Sequence, residues 1–136
     1  MPDRPAMNLF TLTERAMSAQ MVRMNAATSN LANAGSIARS EGEAYRPIRA
    51  VFSAELDRAS GMASVSANAL VRSDTAPTKR HDPGHPLADA DGNVWEAAVD
   101  ESGEMVEIME SARQYQNLVQ ALQTAKQLML ETLRSE

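Results

Sequence analysis

Two long stretches with helical periodicity lie at opposite ends of this chain, and they constrain its fold more than any other feature. Large apolar side chains recur every seven residues in the first stretch, 8–33, and in alternating steps of three and four in the second, 103–134. These positions are Phe10, Met17, Met24 and Leu31 in the first, and Met105, Ile108, Ala112, Tyr115, Val119, Leu122, Lys126, Met129 and Leu133 in the second. Ala112 is small, and Lys126 is the one residue that breaks the apolar pattern. Such stripes lie on one face of a helix and pack against another helix. We therefore expect a mainly α fold, in which long N- and C-terminal helices pair as an antiparallel coiled coil, with a small β-rich insert between them.

A second stripe, made of small residues, runs beside the N-terminal apolar positions. It consists of Ala16, Ala19, Ala26 and Ala27. Small side chains allow another helix to approach closely. Gly35 follows the pattern and is placed to end the helix in a left-handed conformation. The methionines of this face are also typical of adaptable binding grooves, but their heptad spacing favours a packed seam.

Charged residues are scarce on both helical stretches. From Ala16 to Ala38 the only charged residue is Arg23, and from Ser111 to Ala125 the only one is Arg113. Depletion of Lys, Glu and Asp is typical of surfaces that are buried against other protein. The two stretches are thus expected to contact protein on several sides, and an isolated helical hairpin with a neutral surface is the alternative. One solvated edge is expected at the start of the C-terminal helix; it consists of Glu101, Glu104, Glu107 and Glu110.

The middle of the chain favours short strands and turns. Residues 45–52 alternate well enough for a strand, which Pro47 restricts to a sheet edge, and residues 65–71 alternate as a second strand. Residues 53–62 are interpreted as a turn or linker between them. An Asp-Gly turn signal precedes Asn93, which begins a third candidate strand.

These patterns divide the chain into three parts. Residues 1–7 contain two prolines and no apolar periodicity, so a disordered extension is expected there. Residues 8–35 and 100–136 are expected to form one helical domain. Residues 36–99 are expected to be a small insert of strands and loops.

The composition excludes several functional classes. Thirteen Lys and Arg against 18 Asp and Glu give a net charge of −5, and no basic stripe is interleaved with aromatic residues, so nucleic-acid binding is not expected. The chain has no cysteine, which removes disulfides and thiolate metal sites. No run approaches the ~18 consecutive apolar residues that a membrane span needs, so membrane insertion is not expected. The N-terminus also lacks the basic and apolar regions of a cleavable signal peptide.

Candidate metal and catalytic residues are few, and their surroundings argue against them. His81 and His85 have the spacing of paired ligands on a helix, but prolines and a glycine in the same segment prevent that helix. The segment 89–93 resembles a calcium loop only faintly, because Leu87 and Ala98 would occupy the first and last ligand positions. No serine lies in a nucleophile-elbow context, and no glycine-rich phosphate loop occurs. We therefore expect no catalytic residue, no metal site and no cofactor.

Five segments, taken in order along the chain, resemble the flagellar basal-body rod protein family. They are Asn-Leu-Phe at 8–10, Ala-Thr-Ser-Asn-Leu-Ala-Asn-Ala at 27–34, Tyr-Arg at 45–46, the Asp-Pro-Gly-His-Pro loop that begins the segment 82–92, and the segment 104–117. The resemblance covers nearly the whole chain after Met7. It implies a structural protein of the proximal rod that is not an enzyme. It also implies export by the flagellar type III apparatus without cleavage, and polymerisation into the helical drive shaft for motility.

The resemblance further implies partners and a location. The partners would be other proximal rod proteins, the rod-base adaptor and membrane ring, the distal rod protein, further copies of the chain, and the export apparatus. The location would be the periplasmic rod of the basal body, after export from the cytoplasm. Another axial protein of the rod and hook family, or a soluble helical adaptor module, is the alternative.

The terminal helices carry the residues that we expect at the subunit interface. Their neutral faces would pack laterally against neighbours, and head-to-tail contacts of this kind generate open helical assemblies rather than closed rings. The expected interface residues are Phe10, Met17, Met24, Asn30, Leu31, Asn33, Ala112, Tyr115, Val119, Leu122 and Met129.

Overall fold

The structure is a computed structural model of the chain, and it describes residues 8–57 and 61–135. The extension expected at residues 1–7 lies outside the described residues. In chain order the elements are α1 (Leu9–Ala32), β1 (Ile37–Ala38), β2 (Ile48–Asp57), β3 (Met62–Arg72), β4 (Thr78–His81), β5 (Asn93–Glu96) and α2 (Glu101–Arg134). A short 3-10 turn, Glu41–Glu43, precedes β2.

Asparagine side chains hold both ends of helix α1. The Oδ1 atom of Asn8 accepts a hydrogen bond from the Thr11 N–H at 3.0 Å, which satisfies one free donor of the first turn. At the other end, Asn33 Nδ2 donates to the Ser29 carbonyl at 2.8 Å. The prediction of a left-handed Gly35 is wrong, since positive φ angles in the described chain occur only at two later glycines. The helix ends without such a residue because Asn33 bonds to a terminal carbonyl instead.

Helices α1 and α2 pack against each other in antiparallel orientation. Arg23 of α1 forms ion pairs with Glu107 and Glu110 of α2. Two turns later on α1, Asn30 contacts Glu104, which precedes both glutamates on α2. Residue numbers therefore rise along α1 while they fall along α2.

Small and polar side chains, rather than large apolar ones, occupy the centre of this helix pair. The buried residues of α1 include Ala19, Ala26 and Ala27, and those of α2 are Glu104, Ser111 and Ala125. The predicted seam positions Ile108, Ala112, Tyr115, Val119 and Leu122 are only half-buried, and Met105 and Met129 are exposed. Because alanine and serine let two helix backbones come close, the larger residues flank the contact instead of meeting across it.

Strands β2 and β3 form a long antiparallel hairpin that follows α1. Their pairing runs from Ile48 opposite Arg72 to Asp57 opposite Met62, with one register shift after Val51. The hairpin packs against α1, so α1 has α2 on one side and the hairpin as its second neighbour. The prediction of a turn or linker over residues 53–62 is wrong for 53–57 and Met62, which belong to the two strands. Gly61, with a φ of +74°, is a turn residue that directly precedes β3.

The second sheet is small and antiparallel, with β5 between β1 and β4. Trp95 of β5 is the pairing partner of both Ala38 and Lys79. Val94, its neighbour on the same strand, is fully buried. Gly92 turns the chain into β5 with a φ of +80°, and a Cβ atom there would lie 3.1 Å from the His81 ring. This position therefore favours glycine.

The predicted fold class, mainly α with an antiparallel coiled coil and a small β-rich insert, is wrong. Of the 125 described residues, 58 lie in α1 and α2 and 31 lie in strands, which form two antiparallel sheets. The hairpin has strands of 10 and 11 residues and packs along α1, so it is a layer of the fold and not a small insert. The helices also lack a seam of large buried residues, since the buried positions on both of them are small or polar.

Replacement of Ala19 by leucine tests the close approach of the helices. Ala19 is 2% exposed, so three added carbon atoms must displace its neighbours. We expect Ala19→Leu to lower the free energy of unfolding by about 1–3 kcal/mol in urea titrations. The matched control is Ala121→Leu, the same change at an exposed position of α2, which should stay within about 0.5 kcal/mol. Equal stability of the two variants would contradict the small-residue seam.

Candidate assembly surface

Asn30 connects four segments of the chain through one buried side chain. Its Nδ2 atom donates to the Ile48 carbonyl at 2.9 Å and to Glu104 Oε2 at 3.1 Å. Its Oδ1 atom accepts from the Ile48 N–H and from the Tyr45 hydroxyl, both at 2.8 Å. An amide side chain offers two donors and two acceptor sites, so all of its hydrogen-bonding capacity is used. We call this set of residues, Asn30, Tyr45, Ile48, Arg49 and Glu104, the polar junction.

Glu104 is the buried acid of the polar junction. It is 1% exposed, and its Oε1 atom forms a salt bridge with Arg49, which is 53% exposed. A buried carboxylate must be paired and hydrogen-bonded to be tolerated, and Asn30 and Arg49 together meet both conditions. Its place in the first turns of α2 adds a favourable interaction with the positive end of the helix dipole. The prediction that Glu104 lies on a solvated edge is therefore wrong.

Arg23, the isolated charge of the α1 stretch, is paired across the helix contact. Its Nε and Nη2 atoms donate to the two carboxylate oxygens of Glu107, both at 2.8 Å. A second carboxylate, that of Glu110, lies 3.3 Å from Nη2. The hydrogen bond and charge of Arg23 lower the pKa of Glu107, and the same hydrogen bond raises the pKa of Arg23. A bidentate pair of this kind fixes the register between the two helices.

The residues predicted for the subunit interface lie in three different environments. Asn30 is buried inside the chain, and Met129 is exposed near the end of α2. The half-buried ones are Phe10, Met17, Met24, Leu31, Asn33, Ala112, Tyr115, Val119 and Leu122. The structure does not bring these side chains into one patch, because they flank the small-residue seam on both helices. Their part in subunit contacts stays a prediction.

Helix α2 extends beyond the end of its partner helix. With Arg23 opposite Glu107 and Glu110, the start of α1 at Leu9 lies near Ala125 of α2. Every described residue after Ala125 is exposed. We call residues 126–135 the α2 overhang. Its exposed apolar residues are Leu128, Met129, Leu130 and Leu133.

The opposite end of α2 and its outer face are also uncovered. Exposed apolar residues near the start of the helix are Met105, Val106 and Met109. Between the two ends, exposed uncharged polar residues are Gln114, Gln116, Asn117, Gln120, Gln123 and Thr124. The scarcity of charge on α1 is explained within the chain by α2 and the hairpin, whereas the neutral outer face of α2 has no comparable cover among the described residues.

The described ranges 8–57 and 61–135 contain no cluster of side chains that forms a metal site. Within them, no group of three or more His, Asp or Glu residues could hold a metal ion. A cleft of about 490 Å³ is lined by residues 36–38, residues 42–46 and Arg72, and the guanidinium of Arg72 lies 5.3 Å from the centroid of the Tyr45 ring. Of the helices that the structure describes, neither is long and apolar enough to cross a membrane.

Comparison with known proteins identifies the family. The family model described as "Flagellar basal body rod FlgEFG protein C-terminal" matches residues 90–135, the range that contains β5 and α2. The flagellar basal-body rod protein FlgC of Salmonella typhimurium is 40% identical over 129 residues, which cover 93% of this chain and 95% of the relative. The chain belongs to the flagellar basal-body rod protein family. The resemblance that the five sequence segments indicated is confirmed.

Two further relatives give the same result over most of their length. FlgC of Yersinia enterocolitica is 39% identical over 128 residues, which cover 93% of this chain and 95% of the relative. FlgC of Agrobacterium fabrum is 30% identical over 118 residues, which cover 86% of this chain and 85% of the relative. The likeness thus includes the helices, both sheets and the loop between β4 and β5.

Replacement of Asn30 by alanine tests the polar junction. The change removes the partners of the Ile48 backbone and one partner of the buried Glu104 carboxylate. We expect Asn30→Ala to lower the free energy of unfolding by about 1–3 kcal/mol in urea titrations. Asn25→Ala, the same change at an exposed position of α1, is the control and should have little effect. A similar loss in both variants would contradict the role of Asn30.

The pH dependence of stability tests the pair of Arg23 and Glu107. Because the folded-state pKa of Glu107 is lowered from 4.5, the pair stabilises the fold above that pH and is lost as the pH falls through the lowered value. The coupling free energy from a double-mutant cycle of Arg23→Gln and Glu107→Gln should therefore be favourable at pH 7 and shrink towards pH 3. A coupling that is independent of pH would argue that the ion pair does not form.

Proposed function

We propose that this chain is a structural subunit of the proximal rod in the bacterial flagellar basal body. The observation that carries this function is its identity of up to 40% to FlgC rod proteins over nearly the whole chain. Rod proteins of this family are structural, and we propose that the chain has no catalytic activity. Its place is the basal-body rod, where it assembles with other rod components.

The uncovered surfaces of α2 support a role in assembly. Apolar residues are exposed at both ends of this helix, and a neutral polar face lies between them. When one surface of a subunit contacts a different surface of its neighbour, the contact is heterologous, and it builds an open helical array where the rotation does not close into a ring. We propose that the α2 overhang and the outer face of α2 contact neighbouring subunits, together with the flanking residues Met17, Met24, Tyr115 and Leu122.

The finer partners are proposals that follow from family membership. They are the other proximal rod proteins, the rod-base adaptor and membrane ring, and the distal rod protein. Delivery through the flagellar type III export apparatus and polymerisation into the drive shaft belong to the same proposal. Residues 8–35 with 100–136 would act as the packing part of the subunit, and residues 36–99 as the part that carries the two sheets.

A charge placed in the α2 overhang tests the assembly surface. Leu130 is 55% exposed, so Leu130→Asp should leave the folding of the subunit nearly unchanged while it places an unpaired carboxylate in the proposed contact. In a strain that lacks the gene, we expect the wild-type chain to restore swimming and complete rods. We expect Leu130→Asp to restore neither, although the variant is exported in normal amount.

The conservative change Leu130→Met is the matched control and should restore swimming. Basal bodies purified from each strain are scored by electron microscopy for rings with and without a rod. Intact rods and normal swimming with Leu130→Asp would remove the overhang from the proposed interface. Intact rods in the uncomplemented deletion strain would contradict the proposed function itself.

A further inference from the structure

The loop between β4 and β5, residues 82–92, is held by two separate sets of hydrogen bonds. At its base, the Asp82 N–H donates to the Gly92 carbonyl at 2.9 Å. The Asp89 carboxylate accepts from the N–H groups of Asp91 at 2.9 Å and Asn93 at 2.8 Å. These bonds involve backbone groups and a carboxylate, and they fix the half of the loop next to β5.

The other half of the loop has two backbone hydrogen bonds and one that is made by the imidazole of His85. Its Nδ1 atom accepts a hydrogen bond from the Leu87 N–H at 3.0 Å. The His85 carbonyl accepts from the Ala88 N–H at 3.0 Å, and the His85 N–H donates to the Asp82 carbonyl at 3.0 Å. The side chain thus takes the position that an asparagine or aspartate oxygen occupies when it caps a turn two residues on.

This hydrogen bond exists for only one protonation state of His85. A neutral imidazole can accept at Nδ1 when its proton is on Nε2, whereas a protonated imidazole has N–H donors at both positions. Protonation therefore removes the acceptor and places two N–H groups opposite each other. The Leu87 N–H then loses its partner.

The charged groups near the loop do not offset that loss. His85 forms no ion pair with any residue in the described parts of the chain, on the helices or on the strands. The Oδ2 atom of Asp82 lies 3.6 Å from Nη2 of Arg80, and Arg80 also forms an ion pair with Glu96. The Asp89 carboxylate is occupied by backbone N–H groups, and Asp91 is exposed.

The second histidine of the region behaves differently. The Nδ1 atom of His81 lies 3.2 Å from Asn93 Oδ1. An amide oxygen accepts from an N–H, so this contact persists when the ring is protonated. His81 is therefore the natural control for His85.

We propose that His85 makes this loop an acid-sensitive element of the surface. With a neutral His85 the imidazole accepts from the Leu87 N–H. With a protonated His85 the ring turns away and that N–H is released, while the backbone hydrogen bonds of the turn and of the base of the loop stay paired. The surface that residues 83–88 present to a neighbouring molecule then differs between the two states. Histidine is the side chain that commonly changes charge between pH 5 and 8, so this range is the one to examine.

Residue-specific amide hydrogen exchange on the full chain tests the proposal. Protection factors are measured by NMR at pH 7.5 and pH 5, each corrected for the intrinsic exchange rate. We expect the protection of the Leu87 amide to fall by about fivefold or more at pH 5, as for the loss of one hydrogen bond. The amides of Asp91 and Asn93, which donate to the Asp89 carboxylate, should have the same protection factors at both pH values. At pH 7.5 the nitrogen shifts of His85 should show the proton on Nε2.

Two variants separate the role of His85 from a general effect of acid. His85→Asn keeps an acceptor at the same number of bonds from Cα, because Oδ1 replaces Nδ1, and it should make the protection of Leu87 independent of pH. His81→Asn should retain the wild-type pH dependence. An equal fall of protection in His85→Asn would overturn the proposal. So would a Leu87 amide that is already unprotected at pH 7.5.

Discussion

The burial of one carboxylate, that of Glu104, is the constraint on which the arrangement of this chain depends. A carboxylate removed from water is stable only with a charge partner and hydrogen-bond donors. Those groups come from two other elements, Asn30 of α1 and Arg49 of β2. Asn30 in turn fixes the start of β2 and the hydroxyl of Tyr45. Neither helix nor hairpin can shift without leaving the buried charge unpaired, so a few polar atoms fix how the two helices and the hairpin meet.

The helices could be predicted from periodicity, but the line along which they meet could not. Spacing shows which residues share a face, and it does not show which of two adjacent stripes faces the partner. Here Ala19 and Ala26 are buried, whereas Met17 and Met24 are only half-buried. The prediction that the four glutamates at the start of α2 share one solvated edge is wrong for a related reason. A spacing of three rotates each successive side chain by about 60° around the helix, so four glutamates cannot form one edge.

The β hairpin and the polar junction depend on contacts that are distant in sequence. Residues 53–57 have little intrinsic strand character, and they form a strand because β3 pairs with them and α1 supports the sheet. The segment 27–34, which contains Asn30, carries part of the resemblance to the rod protein family. The chemical role of Asn30 could not be predicted, because it depends on where Ile48 and Glu104 lie in the fold. The scarcity of charge correctly indicated that α1 is buried. On this helix the covering elements are α2 and the hairpin of the same chain. The neutral outer face of α2 and the apolar α2 overhang stay exposed in the subunit.

The subunit has a small core and keeps its large apolar side chains outside it. Among the described residues, the largest fully buried side chains are Glu104, Val94, Asn30, Ser64 and Ser111. Burial of such groups removes little apolar surface from water, so the hydrophobic contribution to folding is modest. The methionines and leucines of α2 are removed from water only when another surface covers them. Because a partner that binds the folded state also stabilises it, the proposed contacts with neighbours would couple assembly to folding: the polar junction fixes how the helices and the hairpin meet, and those contacts would complete the burial of the apolar side chains.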